Sequence, residues 1–130
     1  MPGNNAVAVM GDFGFTFMVE ELAVAAKYNI PIIVVILNNA CLSLIRQNQK
    51  YAYQYEYAVE MKENHEMIDY IKVAEGFACK GERIFKPEDI SRAFDRAIKS
   101  GRPYVIDIIV ESQTDCSMGL NIAAVKEFEE

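Results

Sequence analysis

The segment Ile32-Ile33-Val34-Val35-Ile36-Leu37 constrains this chain more than any other feature. Its six residues are apolar, five are β-branched, none is charged, and the run stops at Asn38-Asn39. A run this short and β-branched reads as a strand. Because polar residues do not alternate within it, both faces must be covered, as in a parallel sheet flanked by helices. Ala6-Val7-Ala8-Val9-Met10 is a second buried strand of the same kind and stops at Gly11-Asp12.

Helical periodicity fills the spaces between strands. A helix is expected from Thr16 to Tyr28, with Thr16 as N-cap. Met18, Leu22, Ala25 and Ala26 share one face of it, and Asn29 and Pro31 end it. Leu42 to Gln49 suits a short helix. In residues 50 to 66, Tyr51, Tyr53, Tyr55 and Tyr57 alternate with small, polar or acidic residues, which fits a strand or an exposed loop or interface segment. Asp69 to Ala78 carries Tyr70, Val73, Ala74 and Phe77 at helical spacing, and Gly81 to Phe85 reads as a strand. Pro87 to Ser100 is a helix with Pro87 at its start, Glu88 and Asp89 in the first turn, and Gly101 as terminator. Ile90, Ala93, Phe94, Ala97 and Ile98 form its apolar stripe. Tyr104 to Val110 is a last strand, followed by a polar, then weakly amphipathic tail. This alternation predicts an α/β fold, a mostly parallel sheet with helices on both faces, and 130 residues suffice for one domain at most.

Composition excludes several functions. A net charge of −6, with no basic patch interleaved with aromatics, argues against nucleic acid. The longest apolar run, Ile30 to Leu37, is too short to span a bilayer, and Met1-Pro2-Gly3-Asn4-Asn5 does not resemble a signal peptide. Cys41, Cys79 and Cys116 form no Cys-x-x-Cys pair, so neither a disulfide framework nor a structural zinc site is expected. A reducing cytoplasm is the simplest setting.

In such sheets ligands bind outside the carboxyl ends of the strands. Gly11-Asp12-Phe13-Gly14 and Asn38-Asn39 both fall there, with twenty-four residues between Phe13 and Asn38. A carboxylate and an amide oxygen suit a hard cation such as Mg²⁺. Flanking glycines let backbone approach a diphosphate. Either motif alone is most often a turn; the pair, after two strands, is more specific. Asp12-Phe13-Gly14 is no kinase triplet, because only eleven residues precede it and no catalytic loop fits there. Gly11 and Gly14 lack the third glycine and ribose-binding acid of a dinucleotide fingerprint. His65, the only histidine, sits among Glu63, Asn64 and Glu66 and reads as solvated. Glu20 and Glu21 read as a helix face.

Gly11-Asp12 with Asn38-Asn39 resembles the signature of the thiamine-diphosphate-dependent enzymes, Gly-Asp-Gly followed at a distance by Asn-Asn. The linking stretch from Glu20 to Pro31 is similar too. Within that superfamily the chain most resembles the glyoxylate carboligases, through Gly11-Asp12-Phe13, Asn38-Asn39-Ala40, Leu44-Ile45-Arg46-Gln47, Lys72-Val73-Ala74-Glu75-Gly76, Phe85-Lys86-Pro87-Glu88-Asp89-Ile90 and Ser117-Met118-Gly119.

The resemblance implies thiamine diphosphate and Mg²⁺ as cofactors. Asp12, Asn39 and the backbone carbonyl of Cys41 would be the metal ligands. Gly11, Asp12, Phe13 and Gly14, then Asn39, Cys41, Leu42, Ser43 and Leu44, would border the cofactor, with Phe13 and Gly14 offering N–H groups to the diphosphate. Phe13 and Ser43 depart from the pattern, each standing where relatives often carry Gly; at 43 this matters if the backbone needs φ > 0.

It further implies a carboxyl-terminal diphosphate- and Mg²⁺-binding domain over 1–130. That domain would be truncated on its amino-terminal side, with the aminopyrimidine-binding and middle domains absent and no catalytic residue of its own. The intact enzyme would be a homo-oligomeric lyase joining two glyoxylate molecules into tartronate semialdehyde with loss of CO₂, and the fragment alone would be inactive. Acetolactate synthase, or another 2-oxo acid decarboxylase or carboligase, is the alternative within the superfamily. A non-catalytic α/β interaction module, with Asp12 and Asn39 merely structural, is the alternative outside it.

Overall fold

A computed structural model describes residues 6–63, 66–112 and 114–115; His65, Cys116 and Ser117-Met118-Gly119 lie outside them. The elements in chain order are β1 (Ala6–Gly11), α1 (Asp12–Thr16), α2 (Glu21–Tyr28), β2 (Ile32–Asn38), α3 (Ser43–Asn48), a π-helical stretch (Gln49–Tyr53), β3 (Lys62–Glu63) and β4 (Glu66–Met67). There follow α4 (Tyr70–Gly76), β5 (Lys80–Ile84), a 3₁₀ turn (Pro87–Asp89), α5 (Ile90–Ser100) and β6 (Tyr104–Ile109). They form two compact units, Met1–Asn38 with Asp69–Val110, and Asn39–Ile68 with Glu111–Glu130.

The first unit is built on a parallel sheet in the order β1-β2-β6-β5. Alternation along the strands sends Ile33, Val35, Ile84, Tyr104 and Ile106 to one face, where Ala93 and Ala97 of α5 complete the core, with Ile90 and Phe94 packed against it. Ile32 and Val34 turn to the other face, toward Leu22 and Ala25 of α2 and Phe15 of α1. Tyr70 of α4 meets Phe15 there edge-on, ring centroids 5.5 Å apart. Helices thus cover both faces, as the charge-free β2 requires.

Three expectations need correction. β1 is an edge strand among the described residues, not a buried one. Register pairs Val7 with Ile33 and Val9 with Val35, on the face that α5 covers only beyond β1, so Val7 and Val9 are 50% and 61% exposed.

The helix expected from Thr16 to Tyr28 begins only at Glu21, and a separate short helix precedes it. Thr16 ends α1 instead of capping a helix, and its hydroxyl donates back to the Phe13 carbonyl (2.7 Å). Such back-bonding competes with helix continuation. The connection then runs through i→i−3 bonds such as Phe17 N–H to Gly14 O and Leu22 N–H to Val19 O.

The tyrosine-rich stretch opens as a π-helix over Gln49–Tyr53 where a strand or a loop was expected, and from residue 54 to 61 it runs as an irregular loop. Arg46, Lys50 and Tyr51, spaced four and five residues along this unit's helical segment, converge on one carboxylate. Asp115 accepts from Arg46 Nη2 (3.2 Å), Lys50 Nζ (3.0 Å) and the Tyr51 hydroxyl (2.6 Å). Tyr53, Tyr55 and Tyr57 remain exposed.

Other ends follow local chemistry. Asp69 caps α4 by accepting the Lys72 N–H (3.3 Å). Gly101, at φ 58°, closes α5 in the left-handed region where glycine costs least.

Candidate functional site

The residues expected from the sequence to hold cofactor and metal fall in two segments, one in each unit. β1 and β2 run parallel with Gly11 opposite Leu37. Asp12 is the residue after β1, and Asn39 the residue after β2, so both segments start from the carboxyl edge of the sheet.

In the first segment Asp12 opens α1 and is 3% exposed. Its Oδ1 accepts the Phe13 N–H (2.8 Å). Gly11 has φ −75°, open to any residue. A Cβ built on Gly11 meets nothing within 4 Å, and one on Gly14 meets only the Met10 Cβ at 3.9 Å. Neither dihedral strain nor the chain's own packing calls for glycine there, so the backbone stands open to a bound group. Phe13 is exposed and packs edge-on against Phe17.

The second segment is a closed loop, Asn39 to Ser43. Asn39 Oδ1 accepts the Cys41 N–H (3.2 Å), and Asn39 Nδ2 donates to Ser43 Oγ. The Cys41 carbonyl accepts from the Ser43 N–H (2.9 Å) and, more loosely, from its hydroxyl (3.4 Å). Ala40 sits at φ 51°, a conformation costly for a residue with Cβ. It is held by an antiparallel bridge of Cys41 with Glu60, through Leu42 N–H to Val59 O and Met61 N–H to Ala40 O, both 2.8 Å. Ser43 begins α3 and is not among the residues with positive φ, so serine in place of glycine strains nothing. The Cys41 thiol is buried, Leu42 is half-buried and Leu44 is exposed.

Carboxylate, amide and backbone carbonyl are hard oxygen donors. Oxygen donors of these kinds suit a hard cation, and the backbone at Gly11 and Gly14 has room beside it.

A row of polar groups built on the buried Asn38 and Asp107 lies beside the first segment, unforeseen from the sequence. Asn38, ending β2, donates from Nδ2 to Asp107 Oδ1 on β6 (2.9 Å). Arg83 on β5 donates from Nε to Asp107 Oδ2 (2.7 Å), and its Nη2 lies 3.6 Å from Asp69. Asn38 and Asp107 are 1% and 0% exposed. The Tyr70 hydroxyl is pushed up to about 12, chiefly by burial and further by the carboxylates of Asp12 and Asp107. The sequence held one clue, an aspartate inside the apolar strand Tyr104 to Val110.

The profile of the thiamine pyrophosphate enzyme C-terminal TPP binding domain matches residues 1–108. Glyoxylate carboligase of Escherichia coli O157:H7 is 45% identical over 141 residues, covering 99% of this chain and 24% of that protein. Acetolactate synthase of Mycobacterium bovis is 34% identical over 113 residues, covering 85% of this chain and 18% of that protein. Among solved structures, the thiamine diphosphate-dependent 4-hydroxybenzoylformate decarboxylase of Rhodococcus jostii RHA1 superposes with a TM-score of 0.76 at 26% identity, covering 85% of this chain and 20% of that one. The chain therefore spans about a quarter or less of the length of these relatives. Among the described residues no helix is long and apolar enough to cross a membrane. With its parallel sheet, its Gly11-to-Gly14 segment and a profile match over most of its length, this chain belongs to the thiamine pyrophosphate enzymes, as their C-terminal TPP-binding domain.

Proposed function

We propose that this chain anchors the diphosphate of thiamine diphosphate through Mg²⁺, and that the enzyme it serves joins two glyoxylate molecules with loss of CO₂. The observation that carries the anchoring is the combination of an open backbone at Gly11 and Gly14 with hard oxygens on the segments that follow adjacent parallel strands. Asp12, Asn39 Oδ1 and the Cys41 carbonyl hold the metal. Burial of Asp12 strengthens its attraction for a cation. Gly14 would offer its N–H to the diphosphate; Phe13 and Ser43 would join it by turning over donors that here go to Asp12 Oδ1 and the Cys41 carbonyl, and Leu42 and Leu44 would border the rings. When bound, thiamine diphosphate supplies the electron sink that lets carbon–carbon bonds beside a carbonyl break and form. The residues named here bind and orient that group; none of them moves a proton in the reaction.

Calorimetric titration of thiamine diphosphate into the chain tests the anchoring. Binding should require Mg²⁺ and disappear in Asp12→Ala; binding indifferent to both would overturn the assignment. We expect binding without turnover from this chain by itself.

The choice of glyoxylate rests on the 45% identity to glyoxylate carboligase. Acetolactate synthase is the second reading, supported by relatives at 34%. Product analysis of the intact enzyme supplied with glyoxylate or pyruvate separates them. A homo-oligomer acting on small 2-oxo acids in the cytoplasm completes the proposal.

A further inference from the structure

We propose that Asp107 is a positioning residue for the Asn39–Ser43 loop, acting through Asn38; the part concerning Mg²⁺ rests on the function proposed above. Asn38 is the last residue of β2, and the peptide bond after it starts the loop whose oxygens are assigned to the metal. Its side chain is not idle. It is 1% exposed, and its amide nitrogen is fixed at 2.9 Å by a carboxylate sixty-nine residues away.

A fully buried carboxylate is a costly way to hold an amide, because an ion loses its hydration on burial. Here Arg83 compensates it at 2.7 Å and is itself placed by Asp69, the cap of α4. Three adjacent strands, β2, β6 and β5, each contribute one member at their carboxyl ends. The Asn38 carbonyl is held as well, by the Val110 N–H at 2.9 Å. Side chain and backbone of Asn38 are thus both clamped at the point where regular pairing stops. Two residues later Ala40 takes its unfavourable left-handed conformation, which persists only where the surroundings enforce it. A firm starting point at Asn38 is part of that enforcement.

Amide hydrogen exchange of the chain without ligand tests this directly. The reporters are the Cys41 and Ser43 N–H groups, whose bonds close the loop, against the Ile36 and Ile106 N–H groups in the core. Asn38→Ala removes the link and leaves Asp107 its arginine. Exchange at Cys41 and Ser43 should rise about five- to tenfold, the worth of one hydrogen bond, with little change at Ile36 and Ile106. Asp107→Leu should do the same, Asp107→Asn should restore slow exchange because it keeps an acceptor, and the double variant Asn38→Ala/Asp107→Leu should add nothing at the loop. Should Asp107→Leu not fold, Asn38→Ala and Asp107→Asn decide alone.

An equal rise at core and loop would make the contact a general stabiliser and overturn the proposal, as would unchanged loop exchange or additive effects in the double variant. Titration with Mg²⁺ and thiamine diphosphate forms the second arm. Affinity should fall about tenfold in Asn38→Ala, as expected for losing one positioning bond, and unchanged affinity would refute the positioning role toward the metal. A parent chain that binds no thiamine diphosphate would refute the function proposed above, while the exchange result would still judge the loop.

Discussion

Replacing Arg83 by Met should destabilise the first unit by about 3 kcal/mol, the low end of the cost of breaking a buried ion pair. The asymmetry of the pair sets that value. Asp107 is 0% exposed, so its carboxylate, deprived of Arg83, is left with the Asn38 amide and cannot reach water. Arg83 is 25% exposed and makes a second, longer contact with Asp69, so much of its own cost of burial was never incurred. A fully exposed pair would be worth at most about 1 kcal/mol.

The assay is urea unfolding at neutral pH followed by far-ultraviolet circular dichroism, with the denaturant slope unchanged. The decisive comparison is Arg83→Met/Asp107→Leu. Removing both charges leaves neither ion of the pair and takes one acceptor from the Asn38 amide, a cost of about 1–3 kcal/mol. The double variant should therefore be no less stable than Arg83→Met and, in the favourable case, clearly more stable. An Arg83→Met loss below about 1 kcal/mol would refute the reasoning, since it would equate this pair with one on the surface. So would a double variant as damaged as the sum of two singles.

Other outcomes follow from particular contacts. Glu82 accepts from Arg96 Nε (2.9 Å) and from the Tyr104 hydroxyl (2.9 Å), which hold its carboxyl below the ordinary 4.5. Its folded-state value being depressed, the stability it lends is present above about 4.5 and is lost as pH falls further. The stability gap between the parent chain and Arg96→Met should narrow as unfolding is measured below that pH, and a constant gap would refute the assignment. A cavity of about 180 Å³ lies between Ala8, Met10 and Val34 on the sheet and Phe15, Leu22 and Ala25 on the helices. Ala8→Val should fill part of it and raise stability by about 1 kcal/mol, against no gain or a loss if the space is already taken. Ile106→Ala, at a fully buried position in the α5 core, should cost about 2–5 kcal/mol in the same assay.

The placement of the candidate residues was legible in the sequence. Asp12 and Asn39 were placed by the strands before them, because a charge-free run of strand length can end only at the edge of a sheet. Identity of the family came from the same two motifs and the stretches around Lys72 and Phe85. Other features were invisible for a physical reason. Glycines at 11 and 14 look like turn formers until the surrounding space is seen to be open. Ser43 looks like a strained substitution until it proves to be the first residue of a helix. Asn38 looks like half of a turn until Asp107 is found against it.

Local chemistry therefore determined the elements: β-branched runs became strands, Asp69 and Gly101 ended helices, and the all-apolar β2 demanded cover on both faces. Tertiary structure decided what depends on partners distant in sequence. Strand order left β1 at an edge with Val7 and Val9 exposed. Asp115 drew Arg46, Lys50 and Tyr51 to one side and accompanied a π-helix where alternation suggested a strand. Asn38, Arg83 and Asp107 became one buried network because three strands adjacent in space are far apart in the chain. Propensity acts over a few residues, whereas burial and charge compensation act through space, and only the folded chain shows which residues meet.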